Sequence, residues 1–193
     1  MKQICVYCGS SDKVPKNYLE TASELGKLLA ARGYTLVYGA GSTGIMGALS
    51  QSVIESGGKV WGVIPKMFDT PQLANKNLSR YEVVENIHIR KARMIEISDA
   101  FIALPGGYGT LEEFFEVITW AQIGLHQKPI GLLNLEGYYD ALLSMVERAD
   151  SEGFIYGEHK FLFTVASTPH ELLDSLSEYK LPEGLERWYK RDS

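Results

Sequence analysis

Short apolar runs with no wet face recur along this chain, and each is followed by a stretch with helical spacing; that alternation restricts the fold more than any other feature. Runs at 3–7, 35–38, 59–64, 81–84, 100–104 and 129–134 predict strands, with a further one at 162–166. Helices are predicted at 16–31, 44–56, 87–98, 110–124, 138–152 and 169–179. Strands apolar on both faces belong in a parallel sheet, because only there are both faces covered by helices. The expected architecture is a three-layer α/β fold with a central parallel sheet covered by helices on both faces. It forms one domain over residues 1–193, of which 181–193 is a frayed or loosely docked tail.

Right-handed crossovers carry every loop that follows a strand to the same sheet edge. Three loops meet there: CGSSD (8–12), GAGSTG (39–44) and PGGYG (105–109). Gly39, Gly41 and Gly44 satisfy G-x-G-x-x-G, but the next strand ends in Val63-Ile64-Pro65-Lys66 and lacks the acid that would hold an NAD ribose. The dinucleotide reading is therefore weak. Two readings of this loop stay open: contact with a phosphate or ribose, and a tight turn that needs glycine for its backbone. Gly9, Ser10, Gly41, Thr43 and Gly44 are accordingly candidates for secondary nucleotide contacts. The polar segment 69–79 is a candidate rim or lid.

PGGYGTLEE (105–113) carries more information. A strand, glycines and then a helix start aim backbone N–H groups and the positive end of a helix dipole at an anion. An acid does not suit that place, since a carboxylate repels a phosphate. Another part of the ligand must need Glu112 or Glu113.

Helical rows decide between them. Glu112, Glu116 and Thr119 form a polar row, whereas Glu113 aligns with Val117 and Trp120 on an apolar one. One competing account is a capping box, Thr110-x-x-Glu113, in which the acid only bonds the N-cap N–H. In the preceding helix Arg90 shares an apolar stripe with Ile87, Met94 and Ile97, with Lys91 at its border, while Arg93 and Glu96 lie opposite as solvated charges. A guanidinium in such a stripe needs an anionic partner. Its alternatives are a snorkelling side chain and a structural ion pair. Taken together, Arg90 and Glu113 read as a functional pair.

The helix bearing Glu113 keeps only a narrow polar strip, so one face is expected to pack on the sheet and another on a second copy of the chain, with burial beneath the last helix as the rival account. A net charge of −5 with no block of like charges argues against a nucleic-acid partner and for a small-molecule ligand. No run approaches the roughly 20 apolar residues of a membrane span, and the N-terminus has too short an apolar stretch for a secretory signal, so a cytoplasmic protein is expected. Cys5 and Cys8 form the chain's only C-x-x-C, yet Cys5 lies within a strand and no further Cys or His set completes a zinc site. Packing or loop roles are expected for both, and no metal.

The segments CVYCGSS, LVYGAGSTGIMG, RKARM, SDAFIALPGGYGTLEEFFEVITWAQIG and QKPIGLLN with GYYD resemble, over nearly the whole chain, the Lonely Guy family of cytokinin riboside 5'-monophosphate phosphoribohydrolases. Homologues in that family have often carried the label "lysine decarboxylase". Its signature PGGxGTxxE ends here on Glu113, and its signature arginine is Arg90. The resemblance implies a Rossmann-like fold and an active unit that is a homodimer or higher oligomer. The implied reaction hydrolyses the N-glycosidic bond of an adenosine 5'-monophosphate, often N6-modified, releasing free base and ribose 5-phosphate without a cofactor.

By the same resemblance Arg90 and Glu113 are the catalytic pair. Lys91, Gly106, Gly107, Tyr108, Gly109, Thr110, Leu111, Glu112 and Thr119 bind substrate. Decarboxylation through pyridoxal phosphate would need a Schiff-base lysine with supporting partners, and no such constellation is present. Three departures bear on base recognition. The chain has Ile87-His88-Ile89 where many relatives have Met-His-Glu, GAG where GGG is usual, and Gln72 near the place of a substrate-contacting glutamate. A non-catalytic nucleotide carrier of the same fold is the alternative.

Overall fold

A computed structural model describes residues 1–188 of the chain. Strands β1 (Gln3–Tyr7), β2 (Thr35–Tyr38), β3 (Lys59–Pro65), β4 (Arg80–Val84), β5 (Ala100–Ala103), β6 (Ile130–Leu133) and β7 (Thr164–Ala166) build one sheet in the order β4-β3-β2-β1-β5-β6-β7. Every pairing is parallel. The helices are α1 (Lys16–Ala31), α2 (Gly44–Glu55), α3 (Ile87–Ile97), α4 (Tyr108–Gln122), α5 (Asp140–Ser151) and α6 (Pro169–Glu178). This is the expected three-layer Rossmann-like fold.

Strand periodicity divides the core into two halves. Ile4 and Val6 point into the layer formed with α1, α2 and α6, through Leu25, Leu29, Leu49, Val53 and Leu172. Cys5 and Tyr7 point the other way, into Met94 of α3 and Phe114 and Val117 of α4. The two cysteines are free, buried and in opposite halves, which agrees with packing roles. Between β1 and β5 the strand order reverses, and the loops after these two strands flank the crevice where open α/β sheets bind ligands.

Several local expectations shift. α4 begins at Tyr108, two residues early, because the glycines assumed to be loop already turn as helix. A 3₁₀ turn, Leu135–Gly137, with Glu136 at a φ of 50°, delays α5 to Asp140. Another, Gly157–Leu162, takes the start of the expected strand at 162–166. The β3–β4 crossover contains a 3₁₀ turn, Lys66–Phe68, followed by the polar segment 69–79. That segment is fastened to the second glycine loop: Ser42 N–H donates to the Leu73 carbonyl (2.9 Å) and Asn75 N–H to that of Ala40 (2.8 Å).

Arg93, expected in solvent, is half-buried instead. It bonds Glu82 (3.0 Å) and Glu96 (2.8 Å) and lies over the Trp61 ring at 5.4 Å. The last helix, α6, packs on β6, β7 and α1, on the far side of the sheet from α4, so it does not cover the α4 face. Of the expected tail, Leu185 opens a 3₁₀ turn and packs against the second core half. Residues 189–193 lie outside the described residues. Among the described residues no helix is long and apolar enough to cross a membrane.

Candidate active site

The crevice at the sheet's switch point is a cleft of about 510 Å³. Its walls come from the end of β1, from the loops after β1 and β5, from Gly39, Ile45 and Met46, from Arg90 and Met94 of α3, and from the start of α4 through Glu113. The loops are stitched together. Gly9 N–H donates to the Pro105 carbonyl (3.2 Å), Met46 N–H to that of Gly9 (3.2 Å), and Thr43 Oγ1 to that of Ser10 (2.7 Å). The floor is therefore one connected piece, although it is drawn from three separate strands.

At the α4 start, Gly107 is the N-cap in extended conformation and no side chain caps the helix. The first-turn N–H groups have no intrahelical acceptor, so they are left for a ligand at the positive end of the helix. Gly107 and Gly109 lack a positive φ, and a Cβ on either would meet nothing within 4 Å. Neither backbone strain nor protein packing requires glycine there, and the open space leaves room for a ligand to approach the backbone closely. Gly106 differs. Its Cβ would strike the Thr110 hydroxyl, so it is glycine because the loop folds tightly on itself. Tyr138, on the far wall, donates its hydroxyl to the Gly106 carbonyl (2.9 Å) and braces that turn.

Glu113 lies one and a half turns into α4, only 8% exposed, and its carboxylate accepts a hydrogen bond from Arg90 Nη2. Because the helix begins at Tyr108, Thr110 is inside the first turn and cannot be the N-cap, so the capping-box account fails. Burial pushes Glu113 up to about 7; the Arg90 charge opposes that rise and the neighbouring Glu112 adds to it. Cys5, Tyr7, Cys8 and Glu116 also lie within electrostatic reach of this part of the molecule. The buried Nε of Arg90 has no protein partner, so the guanidinium retains donor capacity beyond its bond to Glu113. An arginine and a carboxylate of this proton affinity, facing one cleft beside an open helix N-terminus, suit a ligand with an anionic end and an electron-poor centre.

The other expected site residues divide by location. Gly9, Ser10, Gly106, Gly107, Tyr108, Gly109 and Thr110 line the cleft with Arg90 and Glu113, and Tyr108 stands 92% exposed at its mouth. Lys91 does not line it. Its ammonium is buried between Glu112 and Glu116 (2.9 Å to the latter), tying α3 to α4 outside the cleft lining. Leu111 packs into the second core half, and Thr119 bonds the Phe115 carbonyl (2.7 Å). Gly41, Thr43 and Gly44 are occupied in holding loops together and lie outside the lining, as does Gln72. Sequence reasoning missed Tyr18, Met46 and Tyr138 as wall residues. For Tyr138 a signal existed: a tyrosine pair placed just beyond a strand that ends at the same sheet edge.

Comparison with known proteins adds the family. A family model described as "Possible lysine decarboxylase" matches residues 46–176. None of the side chains lining the cleft is a lysine, so among the described residues the donor that pyridoxal phosphate needs is missing there. In solved structures, the molybdenum cofactor binding protein of Rippkaea orientalis superposes with a TM-score of 0.69 at 24% identity, covering 92% of this chain and 97% of that one. The molybdenum cofactor carrier protein of Chlamydomonas reinhardtii gives 0.68 at 22%, covering 92% and 96%. At such identities the likeness is one of fold.

Curated relatives are much nearer in sequence. The cytokinin riboside 5'-monophosphate phosphoribohydrolase LOG1 of Arabidopsis thaliana is 49% identical over 178 residues, which is 92% of this chain and 84% of the relative. The enzyme LOG of Oryza sativa subsp. japonica is 50% identical over 182 residues, covering 94% and 75%. With a cleft built on the signature residues and relatives this similar along nearly all of its length, the chain belongs to the Lonely Guy family of cytokinin riboside 5'-monophosphate phosphoribohydrolases.

Proposed function

We propose that this protein hydrolyses the N-glycosidic bond of adenosine 5'-monophosphates, plain or N6-modified, to free base and ribose 5-phosphate. The observation that carries the reading is the Arg90–Glu113 pair facing the same cleft as the uncapped start of α4. The 5'-phosphate binds the Gly106–Thr110 backbone at that helix end, which fixes the sugar so that its anomeric carbon meets Glu113. Cleavage builds positive charge on the ribose. The Glu113 carboxylate stabilises it and orients or deprotonates the attacking water. Arg90 holds Glu113 in place and offers its remaining donors to the phosphate or ribose. No cofactor or metal enters the scheme, and the whole chain acts as one nucleotide-binding domain in the cytoplasm.

The working unit is a homodimer formed through the outer face of α4. That face leaves Phe115 45% exposed and Met145 of α5 63% exposed, and the two line one apolar groove with Ile118, Leu142 and Val146. A contiguous apolar surface of this kind, formed by neighbouring helices, suits a twofold contact. Sedimentation at twice the chain mass, lost in Phe115→Glu, is the expected outcome.

The decisive assay supplies AMP and isopentenyladenosine monophosphate and follows free base and ribose 5-phosphate by chromatography. Release is expected from at least one, undiminished by EDTA, with Glu113→Gln slowing turnover about 1,000-fold, a barrier change of about 4 kcal/mol. Tight binding of every nucleotide without release would instead make the protein a carrier.

A further inference from the structure

Glycine and alanine stand in unexpected places in the loop after β2. Ala40 has a φ of 56°, in the region that favours glycine, while its neighbour Gly39 has no positive φ and could adopt its backbone as any residue. Conformation therefore explains neither choice. Space explains the second. A Cβ on Gly39 would lie 2.9 Å from Met46 Cε and 3.2 Å from Arg90 Nη1, with Arg90 Cζ at 3.7 Å.

The methionine methyl is the end of a flexible side chain and can move aside. The guanidinium has less freedom, being 14% exposed and bonded on its other edge to Glu113, which is itself almost fully buried. A few tenths of an ångström taken at Nη1 must reappear at Nη2, where the carboxylate is held.

We propose that Gly39 is a positioning residue for the reaction: its missing side chain is the seat against which the Arg90 guanidinium rests, and that seat sets the Arg90–Glu113 geometry in the cleft. The inference rests on the hydrolase reading above. It assigns the first glycine of GAGSTG neither of the two roles open from sequence, phosphate contact or turn formation. The loop's contribution to chemistry passes through α3.

The test is a cycle of Gly39→Ala, Arg90→Lys and their double variant, with Gly39→Ala/Met46→Ala as a fourth protein. Parent activity on the nucleotides is measured first, so failure of the hydrolase reading shows as an inactive parent and is distinct from any defect confined to the variants. Gly39→Ala is expected to lower kcat about tenfold with KM within threefold of the parent. Its kcat–pH limb should also move upward, because a displaced guanidinium opposes the burial of Glu113 less well, while Glu112, Lys91, Glu116, Tyr7 and the two cysteines are unchanged around it. Arg90→Lys shortens the side chain that meets the new methyl, so adding Gly39→Ala to it should cost little more; coupled residues are non-additive in this way. Removing Met46 should leave the Gly39→Ala defect in place.

A folded Gly39→Ala with parental kcat and pH limb overturns the proposal. So does full recovery on removing Met46, or strict additivity with Arg90→Lys. Should Gly39→Ala alone fail to fold, the Met46→Ala background relieves the 2.9 Å contact and the same readouts decide there.

Discussion

Two glycine-rich loops reach the same sheet edge, one after β2 and one after β5, and each opens a helix; only the second leaves its helix end free. At α2 the Gly44 N–H already donates to the Asp12 carboxylate (2.9 Å), an acid delivered by the loop after β1. At α4 no side chain plays that part. The glycines differ in the same sense. Gly44 has a φ of 57° and its Cβ would fall 2.5 Å from the Ser11 carbonyl oxygen, and a Cβ on Gly47 would run into the Ser42 backbone. Gly107 and Gly109 face open space. Glycine count alone does not mark an anion site. What marks it is glycine that the protein's own packing does not require.

Substitutions break that comparison in graded fashion. Gly44→Ala should act on the fold, combining left-handed strain with a backbone clash for a loss of about 3 kcal/mol, or a melting point about 10 °C lower. Thermal denaturation within 2 °C of the parent would place the two loops in the same class. Gly107→Ala and Gly109→Ala should leave the melting point alone and raise KM by about 10-fold, near 1.4 kcal/mol of lost binding. An unchanged KM would remove the phosphate from this loop.

A pH-dependent effect distinguishes the acid beside the open loop. With its folded pKa raised to about 7 against an ordinary value of 4.5, Glu113 binds more proton folded than unfolded. Its contribution to stability is full below the lower value and is lost as pH rises towards 7, by at most about 1.4 kcal/mol per pH unit. Glu113→Gln should remove that slope and be the more stable protein above neutrality, even as its turnover falls about 1,000-fold. A variant that melts earlier than the parent at pH 8 would make the carboxylate a structural group.

The sequence disclosed the layers and the catalytic pair for one reason: both are deviations or repetitions visible in a period. Strands without a wet face imply two covering layers, and a charge on an apolar row, as at Arg90 and Glu113, implies a partner. What stayed hidden depends on contacts between segments far apart in the chain. The burial of Lys91 arises because Glu112 and Glu116 of α4 close over it, and α3 read alone puts Lys91 only at a border. α4 starts at Tyr108, ahead of its expected start at 110, because glycine and tyrosine carry weak helix propensity, which tertiary context overrides. Segment 69–79 shows in sequence only as a polar rim or lid, because its anchoring is through backbone groups, and these have no signature in residue type.

The placement of the two cysteines has a practical consequence. Burial holds both thiols far above their usual pKa, so at neutral pH neither presents the thiolate that alkylating reagents attack. Cys5 sits beneath the α3–α4 layer, whereas Cys8 lies at the cleft wall between loops. Each thus becomes a built-in clock. Cys5 labelling times the separation of helices from sheet, and Cys8 labelling times the breathing of the cleft. A nucleotide that seals the cleft should slow the second clock more than the first.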